Sequence, residues 1–256
     1  MHINMFDLTG KVAIITGCDT GLGQGMAVGL AEAGADVLGI GYADASETQM
    51  MIESTGRRFE YINANLIANA SKYALTELID QAAAIMGRVD ILINNAGIIR
   101  REDLLDFSEE NWDDVIAINQ KAVVFLSQAV SKYFIKQKSG GKIINIASML
   151  SFQGGVRVIS YTASKSAVMG ITRALATELS QYNIQVNAIA PGYMATYNTQ
   201  ALRQDVERNK AILDRIPAAR WGLPIDMVGP TVFLASAASN YVTGYTLAVD
   251  GGWLAR

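Results

Sequence analysis

The stretch Val12-Ala13-Ile14-Ile15-Thr16-Gly17-Cys18-Asp19-Thr20-Gly21-Leu22-Gly23 passes from an apolar, β-branched run straight into a glycine turn, and Met26 to Glu32 then resumes a helical pattern. That succession of strand, turn and helix is the context a phosphate-binding turn requires. Glycine permits the tight turn and a close backbone approach, and the following helix offers unpaired N–H groups and a positive dipole end to an anion. A glycine turn that merely joins strand to helix has the same short pattern, so the rest of the chain must decide.

Six further short runs follow: Asp36-Val37-Leu38-Gly39-Ile40, Phe59-Glu60-Tyr61-Ile62, Ile91-Leu92-Ile93-Asn94, Ile143-Ile144-Asn145-Ile146-Ala147, Gln185-Val186-Asn187-Ala188-Ile189 and Thr246-Leu247-Ala248-Val249. Several are apolar nearly throughout, as strands covered on both faces must be. Segments of helical period separate them, so the pattern predicts an α/β chain with a parallel sheet and right-handed crossovers. The four prolines are scattered and no Gly/Ser or charged linker divides the chain, so residues 1–256 read as one domain. Asn111 to Lys138 is unusually long for one helix and carries Trp112, Val115, Ile116, Val123, Val124 and Phe125. It reads either as a long core helix or as one that also faces another subunit.

Hydrophobic residues make up 50%, charged residues 18%, and the net charge is only −3. Mean hydropathy is +0.20. Neither a disordered chain nor a nucleic-acid binder has this balance, and a small soluble ligand is the expected partner. One cysteine, Cys18, and one histidine, His2, exclude an intrachain disulfide and remove the usual metal ligands and imidazole bases, so no metal is expected. No run approaches a membrane span and the N-terminus lacks the features of a signal peptide, which points to the cytoplasm and away from a membrane partner. Cys18 itself reads as a small hydrophobe filling the turn, with a redox sensor at a helix N-terminus as the alternative.

Two later motifs complete the pattern: Asn94-Asn95-Ala96-Gly97, and Ser148 followed by Tyr161-Thr162-Ala163-Ser164-Lys165. In this order they point to a nicotinamide-dependent redox enzyme. Moving a hydride between nicotinamide C4 and a carbonyl carbon needs a proton donor or acceptor at the carbonyl oxygen, and a phenol of pKa about 10 must be lowered to serve at neutral pH. Tyr161 and Lys165, spaced i, i+4, share one helix face, where the ammonium favours the phenolate together with the positive oxidised nicotinamide. Ser148, at the end of an apolar strand, can hydrogen-bond the same oxygen. Alone, the Tyr161/Lys165 spacing would also suit a surface pair on an amphipathic helix; its context argues for chemistry.

Over essentially the full length the chain resembles the short-chain dehydrogenase/reductase family, through Thr16 to Gly23, Asn94 to Gly97, Asn119, Ser148, Tyr161 with Lys165, and Pro191-Gly192 with Thr196. The resemblance implies a single-domain, doubly wound Rossmann fold with a seven-stranded parallel sheet. It also implies a homotetramer formed through the helices that contain Asn119 and Tyr161. It assigns Ser148, Tyr161, Lys165 and Asn119 to catalysis, with Asn119 holding a water that links Lys165 to solvent. Around the nucleotide it implies Gly17, Asp19, Thr20, Gly21, Leu22 and Gly23 at the pyrophosphate, and Asn95, Ala96 and Gly97 under the adenine ribose. Pro191, Gly192 and Thr196 correspond to the loop on the nicotinamide. Asn65-Leu66 stands where the family often has an aspartate before the aliphatic residue; the amide oxygen of Asn65 can still meet the adenine amino group.

The residue after the second strand usually separates the two cofactors, an acid serving the ribose hydroxyls and an arginine the 2′-phosphate. Here Gly41 stands there, followed by Tyr42 and Ala43, with Asp44 close by. No lysine or arginine occurs between Lys11 and Arg57, so NAD is the expected cofactor. Several stretches, among them Ile99-Arg100-Arg101-Glu102-Asp103 and Ala147 to Gly155, look most like members that interconvert a keto group and a secondary alcohol on a C6 3-deoxy sugar acid in uronate breakdown. Such an anionic substrate needs a cation for its carboxylate and polar groups for its hydroxyls. Arg100, Arg101, Gln153 and Arg157, with Ser148 and Tyr161, are the candidates. The arginines would otherwise be solvated or paired with Glu102, Asp103 or Asp106. A different polyol, a steroid or a 3-ketoacyl thioester remains an alternative substrate, and a dinucleotide-binding regulator without turnover a remoter reading. The polar segment Tyr197 to Pro217 is either a mobile lid or a static exposed helix.

Overall fold

Alternate residues of the inner strands bury on opposite faces, and this decides the layering. Val12 and Ile14 join Leu38, Ile40, Leu92, Ile143 and Val186 in one core, while Ala13 and Ile15 join Val37, Ile91, Ile93, Ile144 and Ile189 in the other. The computed structural model describes residues 4–256, so His2 lies outside the described residues. Its strands are β1 (Val12–Thr16), β2 (Asp36–Gly41), β3 (Phe59–Asn63), β4 (Ile91–Asn94), β5 (Gly141–Ile146), β6 (Ile184–Pro191) and β7 (Thr246–Val249). They form one parallel sheet in the order β3-β2-β1-β4-β5-β6-β7. This is the doubly wound Rossmann arrangement, and all seven runs read from the sequence are strands within a few residues of the expected bounds.

One face carries α1 (Gly21–Glu32), α2 (Ser46–Ser54) and α9 (Val228–Ala235), which supply Met26, Leu30, Ile52 and Leu234 to the core. The other carries α3 (Lys72–Met86), α5 (Ala122–Gln137) and α6 (Ile159–Leu179), which supply Leu75, Ile79, Leu126, Phe134 and Ala176. The order reverses between β1 and β4, and a sheet of this kind opens its binding crevice at that switch, beyond the carboxyl ends of the strands. The glycine turn after β1, Asn95 to Gly97 after β4 and Ser148 after β5 all lie at that end.

The long helix expected over Asn111 to Lys138 is two helices and a wide turn. α4 (Glu109–Ile116) is capped by Ser108, whose hydroxyl accepts from Asn111 N, and it runs through a π turn at Ala117–Lys121 into α5. Lys138, left-handed at φ 56°, ends it. Hydrophobic periodicity cannot reveal a single inserted residue of this sort, and such turns often mark functional positions. Asn119 sits on it.

After β6 the chain forms α7 (Gln200–Gln204) and α8 (Val206–Arg215). The C-terminal turn returns to them: Trp253 packs with Met149, Ile212 and Ile216, and Tyr193, Leu202 and Trp221 surround that cluster. No helix among the described residues is long and apolar enough to cross a membrane. No group of three or more acidic, cysteine or histidine side chains is placed to hold a metal among them either.

Candidate functional site

The glycine turn is shaped by close approach. A Cβ on Gly23 would lie 1.9 Å from Gly17 O, and one on Gly17, at φ +65°, would lie 3.0 Å from Ala96 Cα. Asn95 holds the turn from the next loop: its Nδ2 donates to Thr16 O at 2.9 Å and Gly17 O at 2.8 Å. The Thr16 hydroxyl accepts from Asn95 N and Ala96 N. α1 begins after Thr20 without a side-chain cap, whereas α3, α4 and α8 are capped by Ser71, Ser108 and Asp205. Its first amides are therefore left for an external acceptor, which suits a pyrophosphate. Opposite, Thr196 leans towards the turn, with its Cγ2 3.6 Å from where a Gly21 Cβ would be. Gly192 N donates to Val249 O, and a Cβ on Gly192 would meet Asp250 Cα at 2.7 Å, so the loop after Pro191 is packed against the end of β7.

Around the adenine end the expectations need adjustment. Asn65 Oδ1 accepts from Ile67 N at 3.0 Å and Ala68 N at 3.3 Å, so the oxygen expected to meet an adenine amino group is occupied in its own turn. Leu66 is buried in the core. Tyr42 is exposed. Asp44 is bound to Ser46 N and Oγ. Cys18 is buried and its thiol is pushed up to about 12, chiefly by burial and then by Asp19, so it is a neutral hydrophobe.

Ser148, Tyr161, Lys165 and Asn119 converge beyond β5. Ser148 follows the strand and its Oγ accepts from Leu150 N at 3.1 Å. Ser151 Oγ fastens this corner to α6, accepting from Ser148 N and donating to Lys165 O at 2.6 Å. The Ser148 hydroxyl stands close enough to the Tyr161 phenol to favour its ionised form against burial. Lys165 is buried and donates from Nζ to Ile146 O at the end of β5, with Nζ 5.7 Å from the Tyr161 ring centre. Asn119 is wholly buried; its Oδ1 accepts from Ile98 N at 2.9 Å, and its Nδ2 donates to Ile98 O at 2.9 Å and Ser164 Oγ at 3.1 Å. Gly97 makes room for this, since a Cβ there would lie 2.9 Å from Asn119 Oδ1 and 3.7 Å from Lys165 Nζ.

Burial is the first influence on the Tyr161 phenol. It raises the phenol, and the Ser148 hydroxyl and then the charge of Arg101 oppose it. The i, i+4 spacing does bring Tyr161 and Lys165 to one face, but the ammonium is drawn to the Ile146 carbonyl. Without an acid beside it, burial pulls Lys165 down to about 8.

The arginines separate into different tasks. Arg100 Nη2 pairs with Asp114 at 3.0 Å, and Arg157 Nε with Asp103 at 3.1 Å. Arg157, at φ 63°, also accepts Glu102 N on its carbonyl, so it fastens one loop to another. Arg101 meets no carboxylate among the described residues; its Nη2 donates to Asn198 O at 3.4 Å, and its charge reaches Tyr161. Gln153 Oε1 accepts from Trp253 Nε1 at 3.2 Å, which leaves its amide N–H groups to other partners. Trp253 also packs edge-on against Tyr193 and lies under Arg215, whose guanidinium carbon is 3.9 Å from its ring centre. The sequence carried no sign of Tyr193, Arg215 and Trp253 meeting here. A cavity of about 450 Å³ lined by Phe152, Gln153, Tyr245 and Trp253 opens beside β7, and Ser148, Tyr161 and Lys165 do not line it.

A doubly wound sheet with a glycine cradle at the switch point, and a hydroxyl, a phenol and an ammonium gathered beyond β5, defines a dinucleotide-dependent oxidoreductase. Residues 11–207 match the family described as short chain dehydrogenase. The chain belongs to that family, which uses a nicotinamide dinucleotide. It is 66% identical over 256 residues to 2-dehydro-3-deoxy-D-gluconate 5-dehydrogenase of Dickeya dadantii, covering 100% of both chains. It is 62% identical over the same span to the protein of that name in Escherichia coli, again with 100% of both covered. A crystal structure of a putative 2-deoxy-D-gluconate 3-dehydrogenase from Agrobacterium tumefaciens with bound NADP superposes with a TM-score of 0.91, at 50% identity, covering 99% of this chain and 100% of that one.

Proposed function

We propose that the protein is an NAD-dependent dehydrogenase that interconverts a keto group and a secondary alcohol on a C6 3-deoxy sugar acid, in the breakdown of pectin-derived uronates. The observation that carries the reading is the convergence of Ser148, Tyr161 and buried Lys165 beyond β5, with Lys165 Nζ 5.7 Å from the Tyr161 ring centre, at the strand ends that flank the glycine cradle. The names of the relatives from Dickeya dadantii and Escherichia coli support the substrate class.

The dinucleotide supplies the hydride acceptor or donor when bound, held by the open amides of α1 and by the loop from Pro191 to Thr196. Tyr161 gives a proton to the carbonyl oxygen in reduction and takes it back in oxidation, and Ser148 hydrogen-bonds that oxygen. Lys165, already near pKa 8, stands behind the phenol as the group through which its proton is replaced. Arg101, the candidate arginine without an acidic partner among the described residues, binds the substrate carboxylate. Gln153 offers an N–H to a hydroxyl. NAD is favoured over NADP by the lack of any cation in the sequence between Lys11 and Arg57, although the Agrobacterium tumefaciens relative carries NADP.

The test is NADH oxidation followed by absorbance with a 5-keto-3-deoxy sugar acid, with NADPH and a neutral ketone as controls, for wild type and Tyr161→Phe. Turnover of the sugar acid with NADH that is lost in Tyr161→Phe supports the reading. Turnover of the neutral ketone alone removes the substrate, and nucleotide binding without any turnover favours a regulatory role.

A further inference from the structure

We infer that Asp19, carried on the glycine turn, takes the place of the missing acid at the tip of β2 and selects the nucleotide, accepting from the adenosine ribose hydroxyls and repelling a 2′-phosphate. The inference rests on the NAD reading above.

β2 ends at Gly41, where a cofactor-selecting acid would ordinarily stand. A Cβ on Gly41 would lie 2.6 Å from Tyr61 Oη and 2.9 Å from Asp19 Oδ1. A side chain at position 41 would have to displace the ends of Tyr61 and Asp19, and a carboxylate from another segment already occupies the space beside it. That carboxylate is held there from below. Thr48 Oγ1 donates to Cys18 O at 2.8 Å and itself accepts from Gln24 Nε2 at 3.1 Å, fastening the turn to α2 and α1. Cys18 Sγ lies only 2.3 Å from where a Gly39 Cβ would be, so a second glycine of β2 lets the turn settle onto the strand. Tyr61 is braced by donating to Ala43 O at 2.7 Å.

Asp19 is also uncommitted. No hydrogen bond or ion pair to its carboxylate occurs among the described residues, whereas nearby Asp44 is bound to Ser46. The nearest arginine along the chain, Arg57, pairs with Asp36 at 2.7 Å, at the opposite end of β2 and about 16 Å from its tip by strand rise. A 2′-phosphate would therefore meet a carboxylate with no cation from the glycine turn, β2 or α2 to offset it, while a free 2′-hydroxyl could donate to the same oxygen.

The experiment is equilibrium titration of the full chain with NADH and with NADPH, read by energy transfer from tryptophan, for wild type, Asp19→Asn and Asp19→Ser. Wild type is expected to bind NADH at least about tenfold more tightly than NADPH, and both variants to shrink that ratio about tenfold or more, mainly by gaining NADPH affinity. Asp19→Asn preserves the shape of the side chain, and a thermal melt checks that each variant folds. A wild-type preference for NADH that survives unchanged in both folded variants overturns the role of Asp19 and leaves the NAD reading standing. A wild-type preference for NADPH overturns both. Gly41→Asp is expected to weaken both nucleotides, because its side chain meets Tyr61 and Asp19; a gain in NADH affinity there would overturn the inference as well.

Discussion

Asn119 Nδ2 donates to Ser164 Oγ over 3.1 Å, and by that bond the π turn between α4 and α5 is tied to the residue immediately before Lys165. Ser164 Oγ in turn donates to Tyr161 O at 2.8 Å, so one buried amide steadies the stretch of α6 that bears both the phenol and the ammonium. Asn119→Leu strands Ile98 N–H and C=O as well as Ser164, and is expected to cost about 2–3 kcal/mol in unfolding free energy. It should also move the pH profile of kcat while leaving nucleotide affinity nearly unchanged. An unaltered profile in a folded variant would remove Asn119 from the catalytic arrangement.

Gly23 is the least replaceable glycine of the cradle. The Cβ of Gly23→Ala falls on Gly17 O and within 2.5 Å of Asn95 Nδ2, and neither is the loose end of a flexible side chain. The expected result is a loss of ~1–3 kcal/mol in stability and a loss of nucleotide binding larger than the stability change accounts for. Gly154→Ala, with open space around its Cβ, serves as the control.

Substrate charge recognition separates the three arginines. Arg101→Met is expected to raise KM for the sugar acid by about 10- to 100-fold with little change for a neutral ketone, as loss of one charge-assisted contact would. Arg100→Met and Arg157→Met should act on loop stability, because their guanidinium groups are committed to Asp114 and Asp103. Equal effects of Arg101→Met on both substrates would dismiss it as the carboxylate partner.

Stability should rise between about pH 8 and pH 9. Lys142 and Lys165 are both buried without an acidic partner, and burial pulls each from an ordinary 10.5 to about 8. From about pH 8 these two groups leave the unfolded chain binding more protons than the folded one, so unfolding free energy climbs towards pH 9, above which the buried Cys18 thiol, raised from 9.0 to about 12, opposes the climb. Lys142 Nζ donates to Asn240 Oδ1 at 2.8 Å, an exposed group that water can serve instead. Lys142→Met is therefore expected to add roughly 1–3 kcal/mol at pH 7 and to flatten the climb by about half, measured by denaturant unfolding across pH.

Much of the architecture was legible because parallel strands buried on both faces need uninterrupted apolar runs, and Val12–Thr16 and Ile91–Asn94 are such strands over the very residues expected, as is the partly exposed edge strand Thr246–Val249. Tyr161 and Lys165 were legible as a pair because helical spacing alone brings them to one face. The π turn at Asn119 was not, since one inserted residue hardly disturbs an apolar stripe. Nor was the electrostatic order at Tyr161, where burial outweighs every neighbouring charge.

The sequence by itself determined the strands, the parallel order of the sheet's crossovers and the pairing of Tyr161 with Lys165 on one helix face, because each depends on residues near one another along the chain. Tertiary structure alone decided which arginine stays without an acidic partner, which acid reaches the tip of β2, and that Trp253 closes onto Gln153. Those outcomes depend on how close distant segments come, and local pattern carries no record of a distance of a few ångströms between them.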